Sequence, residues 1–240
     1  MNINTKLEEL ITNKPSFITN CDTHGNGVIS YANGKCIACE ESVKRTKIEK
    51  DVIKYKQELI NLANIPLRYQ NSNFDNYKEE IQGCKEIKEL ILNKYDKKQN
   101  LIIAGNTGTG KTHLAIALLK KLITEHELDI NTRITKLGYY MKYYNLASLK
   151  IENSKLFNEV INCRYLVIDE FGANDSDFKE RILFEIIDAR YDNYLSTILL
   201  TNATVKEFKS KLTDMTYSRI RQNALLLEPK HQDYRINNPE

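Results

Sequence analysis

No stretch of this chain approaches the ~18 uninterrupted apolar residues that a membrane-spanning helix needs. Its amino terminus, MNINTKLEELITNK, lacks the basic start and apolar segment of a secretory signal, so the expected compartment is the cytoplasm. Internal repeats are absent as well. So is a strong charge of either sign: 35 Lys and Arg against 32 Asp and Glu leave +3, too little to argue for nucleic acid from the total alone. Disorder is excluded by an ordinary apolar content of 41% beside 28% charged residues. The 240 residues suffice for one substantial α/β domain and a small appendage. Five cysteines, an odd number, cannot all belong to a disulfide framework. Two of them, Cys84 and Cys163, stand alone in apolar or helical surroundings and read as buried free thiols.

Glycine is scarce too, nine in all, yet Gly105, Gly108 and Gly110 fall within six residues of one another. The stretch LIIAGNTGTGKTHLAIALL places them after an apolar run, Leu101 to Ala104, that reads as a buried strand. Apolar residues at helical spacing follow (Leu114, Ala117, Leu118, Leu122). Glycines at such a turn let the backbone approach a bulky anion with its N–H groups inward, at the positive end of a helix. Gly105 to Thr112 fit G-x-x-x-x-G-K-[ST], the phosphate-binding loop. The expected contacts to ATP are Gly105, Asn106, Thr107, Gly108, Thr109, Gly110, Lys111, Thr112 and His113. Lys111 meets the β- and γ-phosphates, and the Thr112 hydroxyl joins the Mg²⁺ shell.

A second element lies about sixty residues on, in RYLVIDEFG. Tyr165 to Ile168 read as a buried strand ending in Asp169 and Glu170, where an open α/β sheet places its ligands. Asp169 is expected beside Thr112 in the Mg²⁺ shell, and Glu170 polarises a water for in-line attack on the γ-phosphate. A third, STILLTN, ends a β-rich strand in Asn202, whose amide is placed to orient that water or contact the γ-phosphate. Strands and helices alternate as a parallel sheet requires. The pattern predicts a helix near 75–94, strands at 100–104 and 131–135, and helices over 111–126 and 137–161. Strands at 164–169 and 197–201 flank a helix at 177–193, and two short helices precede a strand near 224–227.

The amino-terminal region carries different chemistry. CDTHGNGVISYANGKCIACEE contains Cys21-x-x-His24 and, after eleven residues, Cys36-x-x-Cys39. Two close pairs joined by a short hairpin, with VISYA as its strand, suit a tetrahedral Zn²⁺. About forty residues bury little core, so a metal staple has a physical reason to be there. All four positions are filled by protein, which makes the zinc structural. The charged stretch from Glu40 to Asn64 reads as a helix ended by Ile65-Pro66. The expected division is a zinc module at 1–40, a helical linker at 41–64 and an ATPase domain at 65–240.

TRITKLGYYMKYYNLASLK, residues 132–150, combines tyrosines with basic residues, the mix that single-stranded nucleic acid asks for. Its expected DNA contacts are Arg133, Lys136, Tyr139, Lys142 and Tyr143, on a helix. The alternative is that some of these rings pack the helix onto the sheet.

The order of phosphate loop, hhhhDE strand and Asn-ended strand resembles the AAA+ ATPases, an α/β fold with a parallel sheet flanked by helices. In finer text the chain is similar to the DnaC/DnaI-type replicative helicase loaders and the related IstB-type transposition ATPases. IPLRYQNSNFDNY (65–77) is similar to the segment entering the adenine pocket. DEFG through RYDNYLSTILLTN (169–202) is similar to the run between the acidic pair and the sensor Asn, and YSRIRQ (217–222) to the stretch with the arginine finger. The cysteine-rich amino terminus resembles the zinc modules of phage-type loaders. By this resemblance Arg219 is the finger completing a neighbouring subunit's ATP site, with Arg221 the fallback. It implies a loader that binds a replicative helicase through its amino-terminal module and single-stranded DNA along residues 132–150. It further implies ATP-dependent self-assembly, with slow hydrolysis as a switch. An IstB-type transposition helper and a nucleotide-holding regulatory protein stay open as alternatives.

Overall fold

The computed structural model describes residues 17–30, 36–77, 83–128, 136–172 and 176–229. The chain divides into two units, residues 1–58 with 126–134, and residues 59–125 with 135–240.

In the first unit, β1 (Phe17–Cys21) and β2 (Gly25–Ser30) form an antiparallel hairpin, with Thr19 opposite Val28. The strand expected at VISYA begins earlier, at Gly25, and residues 31–35 lie outside the described set. Helix α1 (Ile37–Asn61) starts three residues before the expected Glu40, and the division between the units falls within it.

The second unit opens with a 3₁₀ turn, Leu67–Tyr69, and an asparagine-built turn. There Asn73 Oδ1 accepts from the Asp75 and Asn76 N–H groups at 2.8 and 2.9 Å. Residues 73–77 form a turn, and the described part of the helix expected near 75–94 is Cys84–Lys94. Helix α2 runs from Cys84 to Lys94, and residues 78–82 lie outside the described set. Then come β3 (Asn100–Ala104), α3 (Lys111–Glu125), β4 (Gly138–Lys142), α4 (Leu146–Glu152), α5 (Ser154–Asn162) and β5 (Tyr165–Phe171). The chain closes with α6 (Asp177–Asp192), β6 (Ser196–Thr201), α7 (Val205–Ser210), α8 (Asp214–Arg221) and β7 (Ala224–Leu227).

The five strands from β3 onward form one parallel sheet in the order β4-β5-β6-β3-β7. Leu101 to Ala104, Leu166 to Ile168 and Ile198 to Leu200 are buried in mid-strand, the continuous apolar pattern of a parallel sheet covered on both faces. β3 sits between β6 and β7, so the order of connection reverses there, and the loop leaving its carboxyl end opens onto the crevice where such sheets bind ligands.

One expectation is overturned. Residues 138–142 are not helical but form β4, the edge strand beside β5. Gly-Tyr-Tyr-Met is buried throughout, and a short apolar run without alternation is equally readable as buried strand or helix. The strand expected at 131–135 lies outside the described residues.

Candidate nucleotide and metal sites

Residues 105–110 join β3 to α3 as a loop whose glycines take conformations closed to other residues. Gly110 has φ 73°, and a Cβ there would lie 3.0 Å from the Tyr77 ring. Gly105 has φ 145°, and its Cβ would lie 3.0 Å from the Pro229 carbonyl. Helix α3 begins directly after, so its first N–H groups lack intrahelical acceptors and favour an anion at the loop. Lys111 is buried and folded along this loop. Its Nζ donates to Gly105 O at 2.7 Å, Asn106 O at 2.6 Å and Thr109 Oγ1 at 3.4 Å. His113 lies in the first turn of the helix. Its Nε2 meets the Asn73 carbonyl at 2.8 Å, which requires the proton on Nε2, and its ring packs 5.4 Å from that of Tyr77. Burial holds the imidazole below its ordinary pKa.

The loop and the acidic pair meet through one hydrogen bond. Thr112 Oγ1 donates to Asp169 Oδ2 at 2.8 Å, joining the start of α3 to the end of β5. The other Asp169 oxygen accepts from the Glu170 N–H at 2.7 Å. Glu170 has a left-handed φ of 59°, and the β5–β6 register shifts between Ile168 and Phe171. A bulge with a strained non-glycine residue re-aims one side chain out of the pleat, and such strain gathers at functional sites. Asn202 is exposed at the end of β6, next to Thr201, whose hydroxyl donates to Phe171 O at 3.0 Å and so ties the two strand ends together.

Strand β4 supplies partners to both carboxylates, which the sequence reading did not foresee. The Tyr140 hydroxyl donates to Asp169 Oδ2 at 2.8 Å, and Lys142 Nζ pairs with Glu170 Oε1 at 3.1 Å. Burial alone would lower the Lys142 ammonium, but its bond and ion pair with Glu170 raise it above its ordinary value. Residues 140 and 142 share a side by the two-residue period of a strand, and that signal was legible only once the segment was known to be extended.

The DNA contacts expected here are therefore corrected in part. Tyr139 is 8% exposed and Tyr143 1%, so neither ring offers a face for stacking; both belong to the apolar core. Lys142 is engaged with Glu170, and Lys136 lies 5.0 Å over the Tyr139 ring. Arg133 lies outside the described residues.

Arg219 makes its contacts on α6. Its Nε meets Asp188 Oδ1 at 2.6 Å, and the guanidinium lies 5.1 Å from the Phe184 ring centre. Arg221 donates to Ala224 O at 3.0 Å.

In the first unit, the ligand atoms of Cys21, His24, Cys36 and Cys39 all lie within 4.8 Å of one another. His24 Nδ1 is 3.6, 3.7 and 3.5 Å from the Cys21, Cys36 and Cys39 sulfurs, and the Cys21 and Cys39 sulfurs are 3.5 Å apart. A tetrahedron with Zn–S of about 2.3 Å and Zn–N of about 2.0–2.1 Å has edges of roughly 3.5–3.8 Å. The donor set thus fits zinc in size and chemistry, and the sulfurs are too far apart for a disulfide. The thiols also crowd one another. His24 draws the Cys21 thiol down to about 6, while Cys21 pushes Cys39 up to about 11.

Comparison with known proteins identifies the family. Residues 6–238 match the family described as IstB-like ATP binding protein. The replicative helicase loader DnaC of Buchnera aphidicola subsp. Acyrthosiphon pisum is 30% identical over 186 residues, 75% of each chain. An ATP-binding protein of the insertion sequence IS232 from Bacillus thuringiensis subsp. berliner is 27% identical over 229 residues, 89% of this chain and 88% of that one. The crystal structure of the DnaC helicase loader superposes with a TM-score of 0.56 at 28% identity, covering 69% of this chain and all of that one. The phosphate loop, the acidic pair at a parallel strand end and the family match together assign the chain to the IstB-like ATP binding proteins, a family to which it belongs over nearly its whole length.

Proposed function

We propose that this protein is an ATP-dependent loader of a replicative DNA helicase. The observation that carries the ATP site is the bond between Thr112 and Asp169, which brings loop and acidic pair into one cluster. The loader reading is supported by the likeness to DnaC in sequence and in fold. The loop amides and Lys111 bind the phosphates, the ammonium exchanging its carbonyl acceptors for phosphate oxygens. Thr112 and Asp169 would hold Mg²⁺, which would supply positive charge against the phosphates. Glu170 leaves Lys142 to take a proton from the attacking water, Asn202 orients that water, and Arg219 serves a neighbouring subunit's site. The Cys₃His cluster holds structural zinc and shapes the surface that grips the helicase. Single-stranded DNA is the third ligand, met by the exposed Tyr144 and by Lys136 rather than by the buried rings. Hydrolysis is slow and acts as a switch in the cytoplasm.

The test is capture of the replicative helicase encoded by the same genome, with the full chain and with Cys36→Ser/Cys39→Ser. Glu170→Gln is assayed alongside and should keep ATP binding while losing turnover. Helicase capture that the cysteine variant loses supports the loader. ATP-dependent assembly on duplex DNA without helicase capture would favour the transposition reading, for which the coverage of the insertion-sequence protein is the specific support.

A further inference from the structure

Tyr140 lies in β4, which pairs within the sheet on one side only. Its other side is covered at this residue. The Tyr140 N–H donates to Ala63 O at 2.8 Å, and Asn64 Nδ2 donates to Tyr140 O at 3.0 Å. Both backbone groups of one edge residue are thus taken by the two residues that follow shortly after α1. Asn64 turns the chain there with a left-handed φ of 57°, which asparagine tolerates better than most residues.

The side chain of the same residue reaches the acidic pair. The residue is 2% exposed, and its phenol donates to Asp169 Oδ2, the oxygen that also accepts from Thr112. With the Glu170 N–H on the other oxygen, the carboxylate plane has three donors and no freedom to rotate.

We propose that Tyr140 is a positioning residue for Asp169, and that Ala63 and Asn64 hold Tyr140 in register, so that the segment after α1 tunes Mg²⁺-dependent nucleotide binding. This rests on Asp169 being the Mg²⁺-side carboxylate. Partners that orient a metal ligand typically contribute 10–100-fold to metal affinity, whereas a tyrosine that merely fills space would change stability alone. The pairing also gives β4 a purpose that its burial does not require, since phenylalanine would pack there equally well.

The test uses the full chain and a fluorescent ATP analogue, titrated over a range of Mg²⁺ concentrations and again in EDTA. Tyr140→Phe should raise the Mg²⁺ concentration for half-maximal binding by about tenfold or more, with affinity in EDTA unchanged. Asn64→Gly, which keeps the left-handed backbone and removes the amide, should move the midpoint the same way. The double variant should move it no further than Tyr140→Phe alone, because the two act through one residue. An unchanged midpoint in a folded Tyr140→Phe protein overturns the proposal, and an unchanged midpoint in Asn64→Gly overturns the part assigned to the segment after α1. Asn64 is exposed, so its variant decides the part assigned to the segment after α1 even if Tyr140→Phe does not fold. Wild-type binding indifferent to both Mg²⁺ and Lys111→Ala would instead sink the ATP site itself.

Discussion

Arg190 is a charge buried without a carboxylate among its described hydrogen-bond partners. It lies on α6, 1% exposed, and its Nη1 donates to Ile161 O at 2.9 Å and Cys163 O at 2.8 Å. Nε donates to Thr197 Oγ1 at 2.9 Å, and Nη2 reaches the carbonyls of Ser196 and Arg164. The planar fork thus ties α6 to the starts of β5 and β6, the two strands whose opposite ends carry the acidic pair and Asn202. Arg190→Met would leave buried carbonyls unpaired and is expected to destabilise the protein by about 3–5 kcal/mol in urea titrations. Arg190→Lys should recover only part of this, since an ammonium cannot span the same acceptors. A loss below about 1 kcal/mol for the methionine variant would show that water replaces the guanidinium. Nothing in the sequence marks this arginine. Lys111, Thr112, Asp169 and Glu170 were legible because a phosphate loop constrains residue type and spacing together, whereas a cation satisfied by carbonyls needs no partner residue to betray it.

Helix α1 shows how an element can depend on a cluster at its end. It is 25 residues long, with Leu59 its one buried residue. A helix with so little packing draws on propensity alone, and nucleation costs weigh on its free end. Cys36 precedes its first residue and Cys39 lies in its first turn, so zinc would fix that end. Removing the metal with a strong chelator should reduce the circular dichroism at 222 nm, while binding of the ATP analogue stays intact. Unchanged helicity after verified zinc removal would show that α1 stands without it. Most elements of the parallel sheet could be read from the sequence, because loops of charged and polar residues separate runs such as YLVID and TILLT. Strand β4 could not. Gly-Tyr-Tyr-Met is apolar at every position and so has no period, and the four tyrosines in and beside it invited a stacking role that burial denies to three of them. Of the helix expected near 75–94, Cys84–Lys94 is present, while residues 73–77 form an asparagine-built turn ahead of it.

At the scale of the whole molecule, the proposed service of one copy's ATP site by another turns on Arg219. Arg219 is held by Asp188 within its own subunit, so serving a neighbour's site requires exchanging that carboxylate for phosphate oxygens. If the exchange occurs, turnover per protomer should rise with protein concentration, and Arg219→Ala should lower it by about 10³-fold or more without weakening nucleotide binding to the monomer. Concentration-independent turnover with a neutral Arg219→Ala would reduce the arginine to a surface ion pair with Asp188. The family was legible from three short motifs whose order fixed the fold, but the expected boundary at 65 was drawn from a proline. Cutting the chain there would remove Ala63 and Asn64 and leave the Tyr140 N–H and C=O bare on an outer strand. Bare strands recruit other strands. A shortened protein would be prone to stick to itself before any question of loading arose, and the last few residues of the amino-terminal arm would serve as a guard on solubility.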